Sequence, residues 1–212
     1  MRIIHCEQGS ATWLQHRLGV ITGTRLEDAF KHSESLKNEL ISERMATFVP
    51  PSASSAAMQR GNDLEPFARR EYELKTGKTV EQIGFIAHPT RDDIGLSPDG
   101  IVSNGKRAVE FKCPASKTHV AYMRQHQVPK KYLFQLAAYF LNIPTLKSID
   151  FVSYDELNEV RPLHILPLTL DDVLTTEYPG GRGKTIGSMD HLESRIFAFA
   201  DSVQTEYQRL VF

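Results

Sequence analysis

The residues best suited to chemistry lie in the stretch Ser97-Pro98-Asp99-Gly100-Ile101-Val102-Ser103-Asn104-Gly105-Lys106-Arg107-Ala108-Val109-Glu110-Phe111-Lys112. Asn-Gly between two strand-like runs is the strongest short-range signal for a β-hairpin. With Asn104-Gly105 as a two-residue turn, Ser103 pairs with Lys106, Asp99 lies directly opposite Glu110, and Ser97 lies opposite Lys112. Side chains alternate along a strand, so Asp99, Glu110, Lys112 and Ser97 gather on one face, while Val102, Val109 and Phe111 face a core. Two opposed carboxylates repel each other, and a fold tolerates them if a cation sits between or one is protonated. Hard oxygen ligands around an open position suit Mg²⁺ or Mn²⁺. A lysine two residues away can orient or deprotonate a water, or stabilise charge on a phosphate. This is the equipment for metal-assisted phosphodiester hydrolysis. The bland alternative is a surface hairpin whose Lys–Glu pair contributes under about 1 kcal/mol.

The elements that must hold these residues come from an ordinary globular chain. Its 212 residues, 41% hydrophobic and 24% charged, exclude disordered, collagen-like and coiled-coil architectures. We expect one domain over residues 1–212, burying roughly 70% of its unfolded surface. No apolar run approaches the ~18–20 residues of a membrane span, and the N-terminus lacks the apolar core of a signal peptide. Cys6 and Cys113 are the only cysteines, which suits a reducing cytoplasm and any metal held by oxygen or histidine. The net charge of −1 conceals a basic stretch of seven Lys/Arg with Glu110 as its only acid over 104–131, against seven acids and Arg161 alone over 150–177. Ser10 and Gly19 bound a short helix, and Thr24-Arg25-Leu26-Glu27 has capping-box spacing for a second. A loop over 50–57 leads to a helix ending at Gly77, with Pro66 in its first turn or at a kink. Strands are expected over 79–87, 95–102 and 108–113, a helix over 130–142, strands over 148–154 and 163–170, and a last helix over 191–210. Helices around a central run of strands predict an α/β or α+β fold with one mixed sheet.

Asp99, preceded by Pro98, and then Glu110-Phe111-Lys112 match the PD-(D/E)xK nuclease pattern. The wider chain resembles the phage lambda exonuclease and YqaJ-type viral recombinase family. Four ordered blocks carry the resemblance: Trp13–Thr22, Gly61–Pro66, the hairpin segments Ser97–Gly100 and Glu110–Pro114, and Gln135 within Leu133-Phe134-Gln135-Leu136-Ala137. They span residues 7–142, and nothing carries over beyond. The resemblance implies a PD-(D/E)xK, restriction-endonuclease-like fold, a mixed central sheet flanked by helices. It implies that Asp99, Glu110 and the Phe111 carbonyl hold Mg²⁺ (Mn²⁺ substituting), and that Lys112 orients the attacking water with help from Glu65. It further implies that Arg17, Thr24 and Ser97 hold a DNA 5′-phosphate and that Gln135 points at substrate phosphate.

Each of these residues has a plainer reading. Glu65 is a capping-box glutamate if Asn62 caps a helix. Gln135 lies in an apolar helical run, where a buried amide needs a partner such as backbone. Arg17 precedes a turn into the helix starting near Thr24, and a guanidinium beside a helix N-terminus makes an anion site. Otherwise it is a surface arginine, and Thr24 is a plain cap. Asp92 and Asp93 lie near the site in sequence without an assigned role, and Cys113 is a bystander. The stretch 178–185 is rejected as a P-loop because Tyr178 stands where glycine is required, and no histidine spacing indicates zinc.

The expected function is a Mg²⁺-dependent 5′→3′ exonuclease on double-stranded DNA. It would release mononucleotides and leave a 3′ single strand for annealing-type recombination. The resemblance adds a ring-shaped homotrimer, a single-strand annealing protein as partner, no membrane, and a cytoplasmic setting (a bacterial host if phage-encoded). The alternatives are a structure- or site-specific endonuclease on the same core, and a catalytically silent DNA-binding protein.

Overall fold

The computed structural model describes residues 1–46, 55–103, 105–177 and 186–212. The elements run β1 (Arg2–Ile4), α1 (Ala11–Arg17), a 3₁₀ turn (Gly23–Arg25), α2 (Leu26–Phe30), α3 (Glu34–Met45), α4 (Ala56–Thr76), β2 (Phe85–Ala87), β3 (Gly95–Leu96), β4 (Gly100–Val102), β5 (Arg107–Lys112), α5 (Ser116–Gln125), a 3₁₀ turn (Lys130–Tyr132), α6 (Leu133–Asn142), β6 (Ser148–Tyr154), β7 (Leu163–Leu168), α7 (Leu170–Thr175) and α8 (Met189–Val211). The strands form a mixed four-stranded sheet, β4-β5-β6-β7, and a second, antiparallel three-stranded sheet, β1-β2-β3. The mixed character comes from β5 and β6, which run parallel between antiparallel neighbours.

The sheet β4–β7 is covered on both faces, and strand alternation sorts its residues. On one face Val102, Val109, Phe111 and Val152 pack against Ala68 and Tyr72 of α4. On the other, Ala108, Ile149 and Phe151 join the main core with α6. Every residue of α6 except Gln135 is buried, so this apolar helix is central. The three-stranded sheet has its own cluster of Val20, Phe85 and Ala87, with Trp13 of α1 against it.

The hairpin register is the expected one: Gly100 pairs with Val109, Ile101 with Ala108 and Val102 with Arg107. Lys106 N–H donates to the Ser103 carbonyl at 3.2 Å across the turn, and Gly105 takes φ 81°. Asn104 lies outside the described residues, as do the loop over 50–54 and the Gly-rich stretch 178–185. Gly100 is required by contact, because a Cβ there would meet Val80 Cγ1 at 2.1 Å.

Several local expectations are corrected by tertiary contacts. The strand over 95–102 is broken: β3 belongs to the three-stranded sheet, β4 to the other, and Ser97-Pro98-Asp99 bridges them. The run over 79–87 yields only β2 and an isolated bridge from Glu81 to Ile101. The Thr24 capping box does not form, because Thr24 lies inside the 3₁₀ turn and Arg25 precedes α2 without a side-chain cap. Helix α4 is capped by Ser55, which accepts from Met58 N–H, and not by Asn62. Glu65 and Pro66 therefore sit well inside α4, although proline removes a helical hydrogen bond. Gly77 ends α4 with φ 67°, as expected.

Candidate active site

Glu110 is the centre of the site. It is 1% exposed on β5, and a buried polar group of this kind needs hydrogen-bond partners. Its Oε1 accepts from Gln135 Nε2 at 2.6 Å and pairs with the Lys112 ammonium. Its Oε2 accepts from the Tyr139 hydroxyl at 2.5 Å. Gln135 and Tyr139 are one helical turn apart on α6, so they present donors from one face. The Gln135 amide thus goes to Glu110, not to backbone.

Asp99 lies just before β4, and its Oδ2 accepts the Phe111 N–H at 2.8 Å, which brings it beside the middle of β5. Its own N–H donates to the Tyr139 hydroxyl at 3.1 Å. One phenolic oxygen thus spans Asp99 and Glu110. Burial, and then the Glu110 charge, push the Asp99 carboxyl well above the usual carboxylate range, against the pull of Lys112. Burial also works to lower the Lys112 ammonium, but Glu110 and Asp99 outweigh it and raise it, so this lysine stays protonated in the protein alone. The Tyr139 hydroxyl is raised by burial and by the same two carboxylates, and remains a donor.

Glu65 reaches the site from α4, across the other face of the sheet. Burial raises its carboxyl, Arg69 opposes that, and Glu110 and Lys112 act on it at longer range. Its direct partner is Arg69 at 2.9 Å, and it makes no hydrogen bond to Asp99, Glu110 or Lys112. Two tethers place α4. Arg60 binds Glu156 through two bonds of 2.8 Å, and the Tyr72 hydroxyl donates to Asp150 at 2.6 Å.

The donor set suits a hard divalent cation. Two neighbouring carboxylates with one lysine between them leave negative charge that burial makes costly. Mg²⁺ commonly takes one or two carboxylates and fills the rest of its shell with water and substrate phosphate. Among the described residues no group of three His, Cys, Asp or Glu side chains stands at metal-binding spacing, so a shell built from protein side chains alone is not on offer.

A second cluster lies at the broken strand. Ser97 does not face Lys112, because the ladder of β4 starts only at Gly100. Its Oγ instead accepts from Arg17 at 2.8 Å and from Trp13 Nε1 at 2.9 Å. The Arg17 guanidinium lies 4.3 Å over the Trp13 ring. Burial, and then the neighbouring Arg25 charge, push it down to about 10. Glu43, the nearby acid, is taken by Arg25 at 2.9 Å and by Gly19 N–H at 2.8 Å. A desolvated cation without its own carboxylate among the described residues is a place for an anion. Thr24 is exposed on its 3₁₀ turn and makes no hydrogen bond to Arg17 or Ser97. Its neighbour Gly23 packs beside Gln135, where a Cβ would lie 3.6 Å from Cγ.

Asp92 pairs with Arg2 at the surface, and Asp93 forms a half-buried ion pair with Arg91. Cys113 is half-buried and its thiol is pushed up to about 12 by burial and then by Glu65, away from reactivity.

Sequence reasoning missed Tyr139, Trp13 and Glu43. The usable signal for Tyr139 was its place four residues after Gln135 in an otherwise apolar helix. Replacing Tyr139 with Phe is expected to destabilise the protein by about 1–3 kcal/mol, because a buried N–H and a buried carboxylate each lose a partner. Denaturant unfolding of the two proteins measures this, and equal midpoints would show that the bridge carries no stability.

A mixed sheet between helices, with Asp99, Glu110 and Lys112 at its hairpin, defines the PD-(D/E)xK fold class. Within it, the chain belongs to the family of the YqaJ-like viral recombinase domain, whose model matches residues 12–142. The structure is similar to an alkaline exonuclease, LHK-Exo from Laribacter hongkongensis, at 29% identity over 95% of this chain and 96% of that one, with a TM-score of 0.79. A structure of LHK-Exo in complex with dAMP aligns with a TM-score of 0.80 and the same identity and coverage. A phage related exonuclease from Haemophilus somnus 129PT shares the fold at 13% identity, over 91% of this chain and 95% of that one, with a TM-score of 0.57. No curated protein sequence matches the chain significantly. No helix among the described residues is long and apolar enough to cross a membrane.

Proposed function

We propose that this protein is a Mg²⁺-dependent exonuclease that degrades the 5′-ended strand of double-stranded DNA to mononucleotides. The observation that carries the reading is the meeting of Asp99, Glu110 and Lys112 on one hairpin, with Gln135 and Tyr139 locking Glu110. A silent binding module has no use for two buried acids so close together. The names of the similar enzymes, and the dAMP bound to one of them, support an exonuclease yielding nucleotides.

In this reading Asp99, Glu110 and the Phe111 carbonyl hold the divalent ion, and Mn²⁺ can replace Mg²⁺. The ion supplies Lewis-acid charge to the scissile phosphate. The chain's own residues do the rest. Gln135 and Tyr139 fix the Glu110 carboxylate in one rotamer and so pre-form the ligand pair. Lys112, held protonated beside it, orients the attacking water and offsets charge that builds on the phosphate. Glu65, paired with Arg69 and felt by Glu110 and Lys112 at longer range, would assist once Arg69 releases it. The product strand would be a 3′ overhang suited to a single-strand annealing protein. We further propose a single domain over residues 1–212, a homotrimeric ring and a cytoplasmic setting.

Arg17 and Ser97 supply polarity. A terminal 5′-phosphate carries more charge than an internal diester, and a guanidinium can fork onto two of its oxygens. Thr24 joins them if its turn closes on the bound end. Duplex ends bearing 5′-phosphate are expected to be digested about ten- to a hundred-fold faster than 5′-hydroxyl ends. Arg17→Ala is expected to erase most of that preference. Linear DNA labelled at one 5′ end, incubated with Mg²⁺, tests both claims. Equal rates on the two ends, or a full preference kept by the variant, would remove the pocket from this account. Cleavage of closed circular DNA would instead favour an endonuclease on the same core.

A further inference from the structure

The aromatic ring beside the lysine has no role in the site described so far. Tyr132 closes the 3₁₀ turn before α6, and the Lys112 ammonium lies 5.0 Å from its ring centroid. Tyr132, Gln135 and Tyr139 stand at i, i+3 and i+7, which is one stripe of a helical surface. Gln135 and Tyr139 from that stripe touch Glu110, and Tyr139 also touches Asp99. Tyr132 touches the third member, Lys112.

The ring is well seated. It packs against Phe151 with centroids 5.6 Å apart, and Phe151 pairs with Glu110 across β5 and β6. Tyr122 packs against the same Phe151 at 6.0 Å, and its hydroxyl approaches Tyr132. The exposed Lys131 places its own ammonium 4.8 Å from the Tyr132 centroid. The Tyr132 ring thus lies beside two ammonium groups, an arrangement its quadrupole favours, with Glu110 also holding Lys112 and the Tyr122 hydroxyl also meeting Lys131.

Lys112 needs such a surface. Its other partner is Glu110 Oε1, the oxygen that Gln135 also occupies. In the proposed reaction that carboxylate is wanted by a divalent ion. A lysine with four rotatable bonds and only Glu110 to hold it would either block the ion or swing into water.

We propose that Tyr132 is a positioning residue: its ring face holds the Lys112 ammonium at the site when a metal takes up the Glu110 carboxylate. This rests on the nuclease reading of the same site. It acts through Lys112 and touches neither substrate nor metal.

The test uses the full-length protein with Phe, and then mono-, di- and trifluorinated Phe, in place of Tyr132. Fluorine drains the ring face while leaving shape and packing nearly constant, so folding is not at issue. Measured on 5′-phosphorylated duplex with saturating Mg²⁺, kcat is expected to fall stepwise, by about ten-fold from Phe to trifluoro-Phe, with KM unchanged. A structural role for the ring would give a flat series. A flat kcat overturns the proposal. So does a Tyr132→Phe variant that is inactive while the unsubstituted protein cleaves, because the hydroxyl would then matter and not the face. Failure of the unsubstituted protein to cleave any duplex end overturns the nuclease reading itself and is recognisable as such.

Discussion

Replacing Asp99 with Asn is expected to abolish cleavage, by at least about a thousand-fold, while leaving the protein without divalent ion as stable as before or more so. Losing a ligand charge costs several kcal/mol of transition-state stabilisation, which sets the first figure. The second follows from geometry. Asn keeps an oxygen for the Phe111 N–H, which Asp99 now binds at 2.8 Å, but it removes one of two repelling charges. Such a pair costs up to about 1 kcal/mol. Burial and Glu110 raise the Asp99 carboxyl above its ordinary value. A group raised on folding contributes stability that is present at low pH and lost as pH climbs through its folded value. The advantage of Asn should therefore widen as pH increases. Urea unfolding in the presence of a chelator, at acid and alkaline pH, measures it. A variant clearly less stable than the parent at alkaline pH would show that the two acids do not oppose each other.

The second large effect concerns Lys112. Lys112→Ala is expected to lower kcat by about 10²–10⁴-fold with affinity for DNA ends changed only a few-fold, since a cation acting on transition-state charge affects turnover more than ground-state binding. Glu110 would keep Gln135 and Tyr139, so its place in the site should survive. Single-turnover cleavage together with end binding separates the two quantities. Near-parental turnover would remove Lys112 from the mechanism. A loss confined to binding would recast it as a DNA anchor.

Much of the central hairpin was legible without a structure. Asn104-Gly105 set a register that the observed pairs Gly100–Val109 and Val102–Arg107 obey, and period-two alternation then sorted Glu110 and Lys112 from Val109 and Phe111. These are local facts, because a two-residue turn and a pleat leave no freedom within a few residues. The apolar run of α6 announced a buried helix for the same reason, and its lone glutamine announced a partner without naming it. Gly77 ended α4 on cue and the helix started where the loop over 50–57 was expected to end, but the plainer reading of Asn62 as its cap failed, since propensity around one residue cannot weigh a helix stabilised along its whole length by packing.

What only the tertiary structure decided is how separate segments meet. Alternation over 95–102 suggested one strand, yet β3 pairs with β2 and β4 pairs with β5, so the chain must turn at Ser97-Pro98-Asp99. That turn delivers Asp99 to Glu110 and sends Ser97 the other way, to Trp13 and Arg17. Tyr139 and Tyr132 read as core aromatics in any one-dimensional pattern. Their roles depend on which strand α6 covers and at what height. Such placement is fixed by the summed burial of two faces against each other, a property of no single window of residues.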